Sequence, residues 1–145
     1  MKTLSIAAAA GLLTIAAACG LVVSAAQAGQ TLSYDVNFHD TVLTAKTDGL
    51  SLGDRFILDD VLLEAGKQVG TSSGLCTITN VDGIAICNVT FSLPGGTLSA
   101  QFINAPPPRK DFAIIGGTGA YANAMGTGVM IENGDNTGNL TLTLQ

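Results

Sequence analysis

Short alternating runs of apolar and polar residues constrain the fold of this 145-residue chain more than any other feature. The clearest run is the last one, where Leu140, Leu142 and Leu144 alternate with threonines. Alternation with a period of two indicates a strand with one buried face. From Gly29 onward we find no convincing helical period, and glycine is frequent. The pattern is typical of an all-β sandwich or barrel.

Eight strands are predicted in this part of the chain. The segments between them carry turn residues, as in Val-Asp-Gly at 81–83 and Asn-Gly-Asp at 133–135. The predicted strands lie near 31–38, 54–63, 68–80, 84–93, 96–104, 111–116, 122–133 and 137–145. The segment of residues 29–145 is close to the commonest size of one domain, so we expect it to form a single domain.

The N-terminal segment has the features of a signal peptide. Lys2 precedes an apolar run from Ile6 to Ala26, and Ala-Gln-Ala at 26–28 places small residues where a signal peptidase reads. We therefore predict that residues 1–28 are removed and that the mature protein is secreted. Two alternatives stay open: a membrane anchor, since about 20 apolar residues cross a bilayer, and a lipid anchor at Cys19.

The mature chain is acidic. Removal of Lys2 leaves five basic residues against eleven acids, a formal charge of −6. The Lys and Arg residues are scattered, so there is no electrostatic footprint for nucleic acid. No polybasic patch for an anionic membrane is found either.

Two cysteines survive the predicted processing. If residues 80–83 form a four-residue loop with Gly83 in the left-handed conformation, Cys76 falls directly opposite Cys87 on the paired strand. Opposed residues lie close enough for a disulfide, which export permits. The alternative is a pair of free buried thiols.

Several stretches resemble the allene oxide cyclase and dirigent protein family. Gly-Asp-Arg-Phe at 53–56 leads into Gly-Lys-Gln-Val-Gly at 66–70, and residues 112–121 resemble the family's "IxGGTGxF/Y" turn. The resemblance covers most of residues 31–145. It implies a calycin-like, eight-stranded antiparallel β-barrel whose lumen holds a small hydrophobic molecule. It also implies homo-oligomers, as dimers or trimers, and no cofactor.

The same resemblance indicates catalytic residues on the first strand. The cyclases carry a similar Tyr-acid-aliphatic-Asn run there, and Asp35 and Asn37 stand at the positions that line the lumen. If they point inward, the opposite face, which contains Tyr34 and Val36, points outward and must be covered by a partner subunit. The alternative is that Asp35 and Asn37 face solvent.

Asp60 is the third candidate for a catalytic residue. Period-two alternation places it on one face with Phe56, Leu58 and Leu62, which we expect to bind the ligand. An enclosed acid among apolar neighbours must be paired or have its pKa raised. By resemblance, Asp60 occupies the place of an Asn that contacts the ligand in the cyclases. The alternative is an edge residue that faces water.

Some features depart from the family or point elsewhere. The cyclases have a lumen tyrosine before the Gly-Gly turn, whereas residues 106–110 contain no aromatic side chain, which puts a strict allene oxide cyclase activity in doubt. The run at 117–122 fits the dinucleotide fingerprint, but the glycines after it disfavour the helix that this site needs. His39 has no His or Cys cluster around it, so no metal site is predicted.

Two functions are compatible with these features. The first is a secreted barrel that orients a small hydrophobic molecule for cyclisation or stereoselective coupling; if it is an enzyme, it is a cofactor-independent isomerase or cyclase. The second is a non-catalytic barrel that carries a ligand or builds an assembly. The fold cannot distinguish them, because function depends on the site.

Overall fold

A computed structural model describes residues 29–44, 51–106 and 108–145. Within these residues, nine strands follow one another, with a short 3₁₀ turn at Gly119–Tyr121 before the eighth. The strands are β1 (Thr31–Asn37), β2 (Thr41–Thr44), β3 (Arg55–Glu64), β4 (Lys67–Ile78), β5 (Ala85–Leu93), β6 (Gly96–Asn104), β7 (Arg109–Gly117), β8 (Gly126–Glu132) and β9 (Thr137–Leu144).

The sheet closes on itself. Each strand from β3 to β9 pairs antiparallel with the next, and β1 pairs with β9 on one side and with β3 on the other. Eight strands, β1 and β3–β9, therefore form a closed antiparallel barrel, which confirms the predicted fold. Closure removes the free edges that an open sheet would leave.

The short strand β2 is the element that the sequence did not predict. β1 and β2 pair with the same edge of β3, one after the other along its length. Asn37 of β1 lies opposite Val61, and Thr41 of β2 lies opposite Ile57. The ladder along β3 is interrupted between these two pairs, opposite residues 58–60. The wall of the barrel is thus broken at residues 38–40, near the end of the barrel that we call the upper end.

The β4–β5 hairpin has the predicted register. The Thr79 amide donates to the Ile84 carbonyl at 2.8 Å, and Cys76 lies opposite Cys87 and forms a disulfide with it. Gly83 has a φ of 79°, a left-handed conformation that glycine adopts without steric cost. Both cysteines are fully buried, so the predicted disulfide is present within the core.

The alternation of inward and outward side chains along the strands determines the rest of the core. On β9, Leu140, Leu142 and Leu144 are buried as predicted, and β5 alternates buried and exposed residues along its whole length. The lower end of the barrel contains the β3–β4 and β5–β6 turns and the 3₁₀ turn. Apolar side chains fill it, among them the fully buried Leu62 and Leu98.

The segment with the dinucleotide fingerprint forms the 3₁₀ turn between antiparallel strands β7 and β8. The predicted signal peptide, the alternative membrane anchor and the lipidation site at Cys19 all lie outside the described residues. Within the part of the chain that the structure describes, no helix is long and apolar enough to cross a membrane.

Candidate functional site

A cavity of about 260 Å³ lies inside the upper half of the barrel. It is next to the break between β1 and β2 and below the loop that joins β8 to β9. Apolar and polar side chains share its wall, and the polar ones are concentrated toward the upper end. The apolar side chains are those of Phe38, Leu58, Val89, Phe91, Phe102, Phe112 and Met130.

Four of the five phenylalanines of the chain line this cavity. Phe102 and Phe112 meet edge to face with ring centroids 4.5 Å apart, and Phe91 lies 6.1 Å from Phe112. Aromatic pairs favour such tilted arrangements. The rings form a wall that suits a flat apolar molecule.

Gly128 leaves room for this aromatic wall. A Cβ atom at this position would lie 2.9 Å from Cδ2 of Phe112 and 2.8 Å from Cδ2 of Leu142. At these distances the carbon atoms would overlap, and a close-packed interior leaves little room for either side chain to move away. The position of Phe112 in the cavity wall therefore depends on a glycine on the neighbouring strand.

Asp60 lies in the wall of the cavity and is 4% exposed. Its Oδ2 accepts a 2.6 Å hydrogen bond from the Ser72 hydroxyl, and its Oδ1 accepts a 3.4 Å bond from the backbone amide of His39. His39 belongs to the break between β1 and β2, where the ladder does not supply a partner. Asp60 therefore faces the cavity and also satisfies a backbone amide in the broken wall.

Burial raises the pKa of the Asp60 carboxyl group above its ordinary value. The hydrogen bonds from Ser72 and His39 favour the ionised form and oppose this shift, whereas the negative charge of Asp59 adds to it. A carboxyl group with a raised pKa can donate or accept a proton closer to neutral pH than an ordinary aspartate can.

Two further carboxyl groups lie at the upper end of the cavity. They belong to Asp40 and Glu132. Desolvation raises the pKa of the Asp40 carboxyl group to about 6. The charges of Asp60 and Glu132 add to this shift, and the charge of His39 opposes it.

Within the described ranges, no three His, Cys, Asp or Glu side chains come close enough to hold a metal ion.

Lys110 is a cavity residue that we did not predict from the sequence. It is 4% exposed, and its Nζ donates to the Ala105 carbonyl at 2.5 Å and pairs with Glu132 Oε1 at 3.2 Å. The signal was available: on β7, Lys110 alternates in phase with the apolar residues Phe112 and Ile114.

The structure does not bring Asp35 and Asn37 into the lumen, so the predicted orientation of the first strand is wrong. Asp35 is exposed and accepts a 3.0 Å hydrogen bond from the side chain of Asn139 on the outer surface. Val36 is fully buried, and Leu32, Tyr34 and Phe38 pack against the core. Because side chains alternate along a strand, burying the apolar face turns Asp35 and Asn37 outward.

This orientation also removes one reason to expect a subunit interface. A partner would have to cover the apolar face of β1 only if Asp35 and Asn37 pointed inward, and the barrel interior covers that face instead. Homo-oligomerisation remains a prediction from the family resemblance alone.

The three predicted ligand-binding residues occupy different places. Leu58 lines the cavity, whereas Phe56 and Leu62 are buried in the core and do not line it. The disulfide engages both Cys76 and Cys87, so neither supplies a free thiol.

Solved structures with this architecture include three that resemble the chain closely in fold. A pyocyanin demethylase has a TM-score of 0.73 and is 30% identical, over 80% of this chain and 100% of its own. A pterocarpan synthase dirigent protein has a TM-score of 0.68 and is 19% identical, over 94% and 98% of the two chains. A Diels-Alderase from Streptomyces koyangensis has a TM-score of 0.68 and is 16% identical, over 79% and 63%.

These similarities define the class of protein. The sequence matches no protein-family model and no curated protein sequence. The fold is that of the dirigent-like and cyclase-like eight-stranded barrels, which confirms the resemblance found in the sequence. With 30% identity over the whole demethylase chain, the protein belongs to the same family as pyocyanin demethylase.

Proposed function

We propose that the barrel binds a small hydrophobic molecule in its upper cavity and orients it for a cofactor-independent cyclisation or coupling. The observation that supports this most is the buried carboxyl group of Asp60, which lines the cavity beside the phenylalanine wall. A cavity that served only to retain an apolar ligand would gain nothing from such a group, because burying a carboxylate is costly.

The chemistry would be positional and electrostatic. The phenylalanine wall limits the orientations that a flat ligand can adopt, which lowers the entropic part of the barrier. Asp60 would stabilise positive charge that develops on the ligand, or move a proton at Oδ1 or Oδ2. Ser72 is a positioning residue, because its hydroxyl holds the carboxyl group in one orientation.

The names of the similar proteins support a small organic molecule as the ligand. One acts on pyocyanin, one is a pterocarpan synthase and one is a Diels-Alderase, and each name describes chemistry on a small organic molecule. The competing proposal is a carrier that binds the same kind of ligand and leaves it unchanged. The cavity alone would support either function.

Native mass spectrometry of the mature protein after exposure to a hydrophobic extract tests the proposal. Wild type would be compared with Asp60→Ala, with the milder Asp60→Asn, and with Asp59→Ala as the matched control. Asp59 is exposed on the outer face of the same strand. We expect wild type and the Asp59 variant to retain a small molecule that the Asp60 variants lose.

Other outcomes separate the competing proposals. If no small molecule is retained by any of the proteins, ligand binding is contradicted. If all of them retain it equally and chromatography shows no new isomer or coupled product in the extract, the protein is a carrier. A new product formed by wild type and not by Asp60→Asn supports the catalytic proposal.

Secretion belongs to the same proposal. The buried disulfide is compatible with an oxidising compartment. Mass spectrometry of the protein from the culture medium should give a mature N-terminus at Gly29. A chain that stays with the membrane fraction and carries a lipid on Cys19 would support lipid anchoring instead.

A further inference from the structure

The loop that joins β8 to β9 contains a pair of residues, 133 and 134, that the proposed function does not use. The loop covers residues 133–136, and all four are exposed. Gly134 and Asn136 line the upper cavity, and the Phe38 amide donates to the Asn136 carbonyl at 2.9 Å. The loop is therefore part of the cavity rim and is tied to the broken wall.

Asn133 is the one asparagine of the chain that precedes a glycine. The side-chain carbonyl carbon of an asparagine can be attacked by the backbone nitrogen of the next residue, and a side chain on that residue crowds the approach. Gly134 has no side chain, and its φ of 85° belongs to the left-handed region that glycine adopts without steric cost. Steric hindrance to the attack is therefore lowest at Asn133.

The backbone nitrogen of Gly134 is also free to react. Within residues 29–44, 51–106 and 108–145, its amide has no hydrogen-bond acceptor, and the residue is exposed to water. Asn136, three residues later, differs on both counts. The next residue, Thr137, has a β-branched side chain, and its amide donates to Asp135 Oδ1 at 3.1 Å. The structure thus distinguishes two asparagines of the same loop.

One contact restrains the Asn133 side chain. Its Nδ2 donates to Thr137 Oγ1 at 2.9 Å. The contact is exposed, so water competes for both groups and the net restraint is small. It engages the nitrogen that leaves in the reaction and not the carbon that is attacked.

We propose that Asn133 and Gly134 form a site of spontaneous deamidation in the rim of the cavity. The Gly134 nitrogen gives its proton to water or hydroxide and bonds to Cγ of Asn133. The bond between Cγ and Nδ2 breaks, and the nitrogen leaves as ammonia. Water then opens the cyclic imide at either carbonyl, which gives aspartate or isoaspartate at position 133. The reaction needs no oxidant, reductant or enzyme.

The conversion changes the rim of the cavity. It adds a carboxylate beside Glu132, the residue that pairs with the buried Lys110. Isoaspartate also adds a methylene group to the backbone, between the Asn133 amide and the Thr137 carbonyl that accepts from it at 2.9 Å. The protein therefore acquires forms that differ in charge and in loop geometry above the cavity, whatever ligand it binds.

Prolonged incubation of the folded mature protein in mildly alkaline buffer tests the inference. Mass spectrometry should show that the peptide with position 133 gains the mass difference between a hydroxyl and an amino group. Protein isoaspartate methyltransferase, which methylates isoaspartate and not aspartate, should label the same peptide. Fragment spectra assign the change to position 133, and Asn136 is the internal control that should stay an amide.

Gly134→Ala should slow the conversion by at least about tenfold, because the methyl group crowds the attack and disfavours the left-handed backbone. A Cβ atom at this position meets nothing within 4 Å, so the change does not disturb packing. Gly83→Ala is the matched control, since Gly83 has a φ of 79° and equally open surroundings in the β4–β5 loop. It introduces the same backbone strain and should leave the conversion at position 133 unchanged.

Asn133→Gln is a second variant that keeps both the amide group and the glycine. Its longer side chain requires a larger ring that forms more slowly. This variant should therefore lose the mass gain and the methyltransferase label at position 133, with the backbone of the loop undisturbed.

The chain unfolded in guanidinium chloride gives the rate of conversion without the fold. Because the Gly134 amide is already free and exposed, we expect the folded protein to convert within about tenfold of that rate. An amide that persists at position 133 of the folded protein while the unfolded chain converts would overturn the inference, because the loop then protects the site. Equal conversion of Asn136, or a rate unchanged by Gly134→Ala, would overturn it as well.

Discussion

The Ser72 hydroxyl donates a 2.6 Å hydrogen bond to the Asp60 carboxyl group inside the barrel. The two residues face each other on neighbouring strands, β3 and β4, and both are buried. The other carboxyl oxygen accepts from the His39 amide in the broken wall. Asp60 is therefore held at two points, and its position in the cavity follows from the register of the sheet.

Ser72→Ala should destabilise the protein by about 1–3 kcal/mol, because it removes a buried hydrogen bond to an acidic group. The pKa of Asp60 should rise further, since Ser72 favours its ionised form. Urea unfolding and a carboxyl-detected NMR titration measure the two effects. Ser73→Ala, on the exposed face of the same strand, is the control. Equal effects of the two variants would contradict this account.

Cation binding should depend on pH through Asp40. Its carboxyl pKa is raised to about 6, so Asp40 is mostly neutral below that pH and mostly ionised above it. The affinity for N-methylphenazinium should therefore rise between pH 5 and pH 7, and the affinity for neutral phenazine should not. Asp60, Glu132 and His39 are the charged or titratable groups that interact with Asp40.

Two variants check the assignment of this pH dependence. Asp40→Asn should flatten the rise in cation affinity, whereas His39→Gln should retain most of it. Calorimetric titrations at several pH values measure both. A rise that persists unchanged in Asp40→Asn would assign the pH dependence to another group.

The period-two pattern predicted much of the fold, because the burial of one face of each strand produces this pattern directly. It correctly indicated the buried leucines of β9, the register around Cys76 and Cys87, and the inner face that Asp60 shares with Leu58. In each case, apolar side chains on one face require a core, and the turn residues determine which strands meet.

The first strand shows where sequence reasoning failed. Its apolar face, which includes Tyr34 and Val36, indicates burial, whereas the family resemblance places Asp35 and Asn37 in the lumen. The structure follows the hydrophobic pattern. The same pattern indicates that Lys110 faces the interior, since it alternates in phase with Phe112 and Ile114. The place of Asp40 at the cavity could not be assigned in this way, because it depends on closure between strands distant in the chain.

Asp35→Ala should therefore leave ligand binding and stability nearly unchanged. Asp35 is exposed and its contact with Asn139 is a surface hydrogen bond, and surface substitutions usually change stability by less than about 0.5 kcal/mol. Val36→Ala is the comparison on the buried face and should cost about 1–3 kcal/mol. Calorimetric titration with pyocyanin measures binding by the two variants, and urea unfolding measures their stability. A large loss of binding in Asp35→Ala would restore its predicted catalytic role.

Gly128→Ala should reduce the cavity and weaken ligand binding. The added methyl group would meet Phe112 and Leu142 at less than 3.0 Å, so the Phe112 ring must move. Overpacking of this kind typically costs about 1–3 kcal/mol. Gly116→Ala is the control, because a Cβ atom there meets nothing within 4 Å. Equal affinity and stability in the two variants would show that Gly128 does not shape the cavity.

The phenylalanine rings allow the most direct test of ligand binding inside the barrel. Phe38, Phe91, Phe102 and Phe112 line the cavity, whereas Phe56 is buried outside it and serves as an internal control. The measurement is an NMR titration of protein with ¹³C-labelled phenylalanine rings against pyocyanin. We predict that the four cavity resonances shift together and saturate, while Phe56 stays nearly unchanged. If none of the four shifts at saturating pyocyanin, or if only Phe56 does, the proposed cavity is not the binding site.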